Sequence, residues 1–164
     1  MSKAASDKCA VVIGGTGGIG HAIAQFYADK GYNVVITGRD QERTNAVAKD
    51  IGGKTRGIAV DISEPESIEE KLSSLGHVDH LALVAVDRDY NSARDYNVQR
   101  ARKIVTLKLI GYTEVAHTLF PRMGAGASAV LFGGLASERP YPGSTSITTV
   151  NGAVSSLIRT LAVE

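Results

Sequence analysis

The chain is poor in the residues that cross-link, anchor or strongly charge a protein. It has one cysteine, Cys9, so no intrachain disulfide can form. The place of Cys9 in an apolar run reads as a reduced, buried small hydrophobe. Net charge is nearly absent, with 18 Lys+Arg against 17 Asp+Glu, which excludes a polyanion-binding surface as the main function and argues against a nucleic-acid partner. The longest apolar run, Leu81 to Val86, falls far short of the ~18 residues of a membrane span. The N-terminal MSKAASDK carries no apolar stretch of signal-peptide type. A soluble, cytoplasmic protein without a membrane partner is expected. Tryptophan is missing and there are four prolines. Glycine is abundant instead, at 18 of 164 residues, or about 11% against a usual ~7%. A hydrophobic fraction of 43% with 21% charged residues suits one packed domain.

Five short apolar runs stand out: Cys9 to Ile13, Asn33 to Thr37, Gly57 to Val60, Asp79 to Val86 and Ser128 to Phe132. They are nearly continuous rather than alternating, the pattern of strands buried on both faces of a parallel sheet. Helical spacing lies between them. Gly20 to Lys30 presents Ile23, Phe26 and Tyr27 on one face before Gly31, and Ser63 to Leu75 opens with Ser63 and Glu66 as a capping box, with Pro65 in the first turn. The alternation predicts an α/β fold, a doubly wound parallel sheet of Rossmann type with five strands, as a single domain over residues 1–164. From Ser144 onward an apolar helical stripe is still running at Glu164, so a C-terminal part is expected to be missing.

The strongest local signal is VVIGGTGGIG, Val11 to Gly20, set between the first strand and the first helix. Glycines at 14, 18 and 20 permit a sharp turn and let backbone N–H groups approach a pyrophosphate, which the positive end of the helix attracts, with Thr16, Gly17 and Ile19 also expected to contact the cofactor. Dinucleotide binding is the expectation, with methyl-donor binding on a similar loop and a structural turn as alternatives. In such folds an acid near the end of the second strand bonds the ribose 2′-hydroxyl of NAD. Here the strand ends Thr37-Gly38-Arg39. The acid is missing and a guanidinium is available for a 2′-phosphate, which favours NADP(H). Alternatively, Arg39 solvates the loop with Asp40 as its partner.

With these residues on the page, the sequence resembles the short-chain dehydrogenase/reductase family over nearly its whole length. The loop matches that family's TGxxxGxG with Ile13 in place of threonine; Asp61-Ile62 matches its adenine-contacting dipeptide. LFPRM (Leu119 to Met123), RPYPG (Arg139 to Gly143) and LAVE (Leu161 to Glu164) match further stretches. The resemblance implies a nicotinamide cofactor, carbonyl/alcohol chemistry on a small molecule, and a cofactor contact at Ala85, where the family's fourth strand normally ends NNAG.

The resemblance also locates departures. The family's catalytic serine, tyrosine and lysine fall on Gly134, Ile147 and Asn151. The asparagine that helps hold the proton-relay water falls on Lys108. A lysine entering as another leaves reads either as compensation or as a snorkelling side chain. Tyr141 precedes the last helix as a second candidate donor or a lid residue. His21, His77, His80 and His117 lack metal-site spacing. Three functions stay open: an NADP(H)-dependent reductase or dehydrogenase with a non-standard proton donor, a catalytically inactive cofactor sensor or subunit, or a methyl-transfer enzyme on a related sheet. A homo-oligomer is expected, because the helices about Asp95 to Leu119 and Ser144 to Glu164 resemble those through which family members pair, and Gly152, Ala153, Ser155 and Ser156 allow close approach.

Overall fold

The computed structural model describes residues 4–164. Five parallel strands, β1 (Cys9–Ile13), β2 (Asn33–Gly38), β3 (Lys54–Ala59), β4 (His80–Leu83) and β5 (Ser128–Leu131), form one sheet in the order β3-β2-β1-β4-β5. Helices α1 (Gly18–Asp29) and α2 (Gln41–Ile51) cover one face. On the other lie α3 (Ile68–Leu72), a long helical stretch made of α4 (Val98–Val105) and α5 (Tyr112–Leu119), and α6 (Thr145–Leu161).

The sheet places β1 at its centre because CAVVI is apolar on both sides. Val11 and Ile13 pack with Ile68, Leu72, Tyr112, Val115 and Val154, whereas Val12 packs with Ala24, Ala48 and Ile51. Successive residues of a strand face opposite layers, so a strand covered on both faces needs an apolar residue at every position. The chain winds outward from β1 to β3 and then returns to β4 on the other side of β1. The strand order therefore reverses between β1 and β4, and the crevice at their carboxyl ends is where such folds bind ligands.

Several boundaries differ from the pattern of apolar runs. β3 begins at Lys54 rather than Gly57, since pairing with β2 extends over six residues from Asn33↔Lys54 to Gly38↔Ala59 and overrides the polar KTR. β4 stops at Leu83 rather than Val86: the N–H groups of both Val84 and Ala85 donate to the Ile13 carbonyl, and the chain leaves the ladder there. β5 lies at an edge, with Val130 half exposed, and is not covered on both faces. Ser63 does not cap a helix; its N–H and hydroxyl both donate to Asp61 Oδ1 (2.9 and 2.7 Å), and a 3₁₀ turn at Pro65–Ser67 leads into α3. The first helix starts at Gly18, and α6 ends at Leu161 in a turn in which Ala162 N–H reaches the Ile158 carbonyl.

The helix expected from Asp95 starts at Val98, where Asn97 caps it by accepting from Arg100 N–H at 2.9 Å. It is not regular throughout. Thr106–Gly111 forms a π-helical stretch between α4 and α5, a widening that occurs mostly as short insertions within α-helices and frequently beside functional groups.

Candidate functional site

The reversal point opens into a cavity of about 530 Å³. Gly14, Thr16, Gly17, Gly18 and Ile19 line one wall, Arg39, Asp61 and Ile62 the second, and Ala85, Lys108, Gly134, Ile147 and Asn151 the third. Of the candidate site residues, Gly20 stands behind this wall: a Cβ there would run into the Gly14 carbonyl oxygen, so the glycine lets helix and loop close on each other. Tyr141 does not join the lining. It lies in a turn where its N–H donates to Ser144 Oγ and its carbonyl accepts from the same hydroxyl.

The glycine loop is held from below and open above. Gly14 N–H donates to Thr37 Oγ1 at 3.2 Å and Gly15 N–H to the Thr37 carbonyl at 3.0 Å, so the end of β2 fixes the turn. Gly14 has φ +89°, and a Cβ on it would lie 2.7 Å from the Ala85 backbone. A Cβ on Gly17 or Gly18 would meet nothing within 4 Å. No side chain caps the first turn of α1, whose N–H groups and positive dipole end thus face the cavity wall, a ready anion site. The residues present fit a pyrophosphate.

The second wall carries the charge. A Cβ on Gly38 would lie 2.5 Å from both Thr16 Cγ2 and Thr44 Oγ1, so a side chain at the position of the NAD-selective acid would have to displace one or both threonine side chains. Asp40 is not the partner of Arg39: its carboxylate caps α2, accepting from Arg43 N–H at 2.7 Å. Arg39 instead stands 3.8 Å from Asp87, which Lys103 approaches to 2.8 Å. The hydrogen bond from Lys103 is the main reason that the Asp87 carboxyl is held below its ordinary range. Arg39 is 64% exposed in that pair, and such an ion pair holds it only weakly. Arg43 also lines the cavity. Asp61 keeps its Oδ1 engaged with Ser63.

On the third wall, Lys108 is buried. Its Nζ donates to the Phe132 carbonyl at 2.5 Å and to Tyr112 Oη at 3.0 Å, and Tyr112 Oη donates to the Ala85 carbonyl at 2.9 Å. Burial lowers the Lys108 amine to about 8, because desolvation disfavours its charged form. The same cause raises the Tyr112 phenol above its usual value. Lys108 is therefore no snorkelling side chain; its amine sits at the ends of β4 and β5. Asn151 projects against Gly134, and Ile147 adds an apolar surface beside them. Tyr112 escaped the motif reading. The signal that points to it is the spacing of four from Lys108, which places both on one helix face. Among the described residues no group of three His, Cys, Asp or Glu is arranged to hold a metal ion, and no helix is long and apolar enough to cross a membrane.

A parallel sheet whose strand order reverses at this crevice defines a doubly wound α/β protein of Rossmann type. The profile of the short chain dehydrogenase family matches residues 8–164, and the chain belongs to that family of oxidoreductases. It is similar to sulfoacetaldehyde reductase 2 of Chromohalobacter salexigens, 26% identical over 144 residues, covering 82% of this chain and 57% of the relative. The mouse 3-oxoacyl-[acyl-carrier-protein] reductase is 26% identical over 163 residues, 96% of this chain and 69% of its own. Among solved structures, a short chain dehydrogenase/reductase family protein superposes with a TM-score of 0.90 at 28% identity, covering 98% of this chain and 69% of that one. The L-sorbose reductase of Gluconobacter frateurii, complexed with NADPH and L-sorbose, shares the fold with a TM-score of 0.86 at 24% identity, over 95% of this chain and 63% of that one. The chain spans a little over half the length of the first of these relatives.

Proposed function

We propose that this chain binds NADP(H) in the cavity and interconverts a carbonyl compound and its alcohol, with Lys108 as the proton donor or acceptor. The resemblance assigns the family's serine, tyrosine and lysine positions to Gly134, Ile147 and Asn151, and none of these three side chains is an acid or base that supplies that proton. The observation that carries the reading is the position of Lys108 Nζ, held on the cavity wall by the Phe132 carbonyl and Tyr112 Oη.

In this reading the N–H groups of Thr16 to Ile19 receive the pyrophosphate, Arg39 the 2′-phosphate, and Asp61 and Ile62 the adenine. Gly14 and Ala85 flank the nicotinamide ribose. The bound cofactor supplies or accepts hydride. The chain's own contribution is the proton. Below pH about 8 the Lys108 ammonium donates to the carbonyl oxygen as negative charge grows there, and its charge stabilises the alkoxide in an otherwise apolar pocket. Above that pH the neutral amine removes the alcohol proton. Reduction therefore declines, and oxidation improves, as pH rises through about 8.

The relatives named as reductases of sulfoacetaldehyde and of 3-oxoacyl groups suggest aldehydes and ketones as the panel. NADPH oxidation by the protein with that panel tests the reading. Lys108→Met should cost at least about 100-fold in turnover and leave NADPH affinity within about twofold, the pattern of a lost transition-state contact. Equal activity of wild type and Lys108→Met would make Lys108 a bystander. Tight NADPH binding with no turnover would favour the cofactor sensor or subunit.

A further inference from the structure

We propose that Tyr112 is the positioning residue of this site: its hydroxyl fixes Lys108 Nζ and ties it, through the Ala85 carbonyl, to the turn that packs on Gly14. The proposal rests on the reading of Lys108 as proton donor. Tyr112 does not line the cavity and touches no reacting atom, so it acts through Lys108.

The polarity of the chain of hydrogen bonds is fixed by counting protons. A phenol has one hydrogen, and Tyr112 gives it to the Ala85 carbonyl (2.9 Å), which leaves the oxygen to accept from Lys108 (3.0 Å). A neutral amine has two N–H groups. In Lys108 these are both used, one by Tyr112 Oη and one by the Phe132 carbonyl, so the lone pair takes the remaining direction. In the ammonium form the third N–H takes it. Two fixed acceptors thus leave the amine one free direction for exchanging a proton, and Lys108 lines the cavity. Burial of Tyr112, with no measurable exposure, keeps the phenol protonated and the polarity unchanged.

The other end of the chain reaches the cofactor wall. A Cβ on Gly14 would lie 2.7 Å from Ala85 N and Cα, and Ala85 N–H donates to the Ile13 carbonyl at 2.9 Å. Seating a pyrophosphate on the glycine loop therefore bears on Ala85, whose carbonyl holds Tyr112. Tyr112 is the titratable group within hydrogen-bonding reach of Lys108. The turn after β2 contributes Arg39, α2 contributes Arg43 and the loop after β3 contributes Asp61 to the same cavity, while α6 presents neutral Asn151 and Ile147. Burial is the cause of the Lys108 shift.

The test is Tyr112→Phe in the full chain. Removing the oxygen takes away an acceptor that favours the charged amine, so the Lys108 amine should titrate about one unit lower, the size of one such hydrogen bond. The rate of acetylation of Lys108 by acetic anhydride, followed by peptide mass spectrometry against pH, reads this without turnover. With a carbonyl substrate, the alkaline limb of reduction should move down by about the same amount and kcat should fall about tenfold with KM unchanged. NADPH should alter Lys108 acetylation in the wild type and less in the variant. Superimposable acetylation profiles for the two proteins would overturn the proposal and leave Tyr112 as core filling. A shifted profile combined with full turnover in Lys108→Met would instead overturn the donor assignment and leave the clamp standing. Should the variant not fold, uniform 3-fluorotyrosine labelling weakens the oxygen as an acceptor with little change in shape. The Lys108 profile should then move the same way by a smaller amount, and an unmoved profile overturns the proposal.

Discussion

The Nδ2 atom of Asn151 lies 2.6 Å from the point where a Cβ on Gly134 would stand. The resemblance assigns the family's serine and lysine to these positions, and here the two are mutually adjusted: the buried Asn151 amide occupies the space beside Gly134 that a side chain there would take. The two substitutions form a unit.

Gly134→Ala alone should therefore displace the Asn151 amide and destabilise the protein by about 1 kcal/mol, the low end of the overpacking range because the atom met is a side-chain end, and Gly134→Ala with Asn151→Ala should recover most of it. A double-mutant cycle from denaturant melts should give a coupling above about 0.5 kcal/mol. Strict additivity would show that the contact is relaxed without cost. Gly134→Ser in search of standard activity should likewise work better with Asn151→Lys and Ile147→Tyr than alone.

Arg39 sets the expected cofactor preference. NADPH should bind more tightly than NADH, and Arg39→Asp should invert the order, with NADPH affinity falling about 10- to 100-fold as a charge-assisted contact is lost. Asp87→Asn should raise NADPH affinity a few-fold at low salt, because it frees Arg39 from its neighbour 3.8 Å away. Fluorescence titration with both cofactors checks each outcome; equal affinities in the wild type would remove Arg39 from the site.

Stability should also report on Lys108. Its amine falls from 10.5 to about 8 on folding, so between these values the unfolded chain binds more protons and stability rises with pH. The Tyr112 phenol is raised by folding and acts in the opposite sense above about 10, its ordinary value. The rise is thus expected between pH about 8 and about 10, on the order of 2–3 kcal/mol. Urea melts across that range should show it in the wild type, and Lys108→Met should abolish it.

Val98, Val105, Ile110 and Ile158 are exposed apolar side chains on the α4–α5 stretch and α6, the two helical segments expected to pair between copies. Light scattering should give a dimer or larger species. Val105→Asp with Ile158→Asp should shift it toward the monomer; a monomeric wild type would dismiss the pairing.

The architecture was legible because β1, β2 and β4 are apolar at nearly every position and the glycine loop sits between the first strand and helix. Edge strands were less so: β3 includes Lys54 and Arg56, whose place depends on backbone pairing with β2 and not on their own hydrophobicity. Gly38 was read as lacking an acid, but that Thr16 and Thr44 crowd it is a property of three segments brought together. Asp40 looked like a partner for Arg39 by adjacency, yet the open N–H of Arg43 draws its carboxylate to the helix end. Tyr112 carries no family motif, and its role depends on carbonyls at Ala85 and, through Lys108, Phe132, far away in sequence.

The widened turn at Thr106–Gly111 determines which kinds of sequence change this site tolerates. Each residue advances an α-helix by about 100°, so removing one residue from that stretch would let it relax to regular α-geometry and rotate Lys108 relative to the segment that follows. Conservative replacements leave that phase intact. Length therefore matters separately from residue type: a point substitution perturbs one contact, whereas deleting one residue of 109–111 would shorten the Lys108-to-Tyr112 spacing from four to three and break their register.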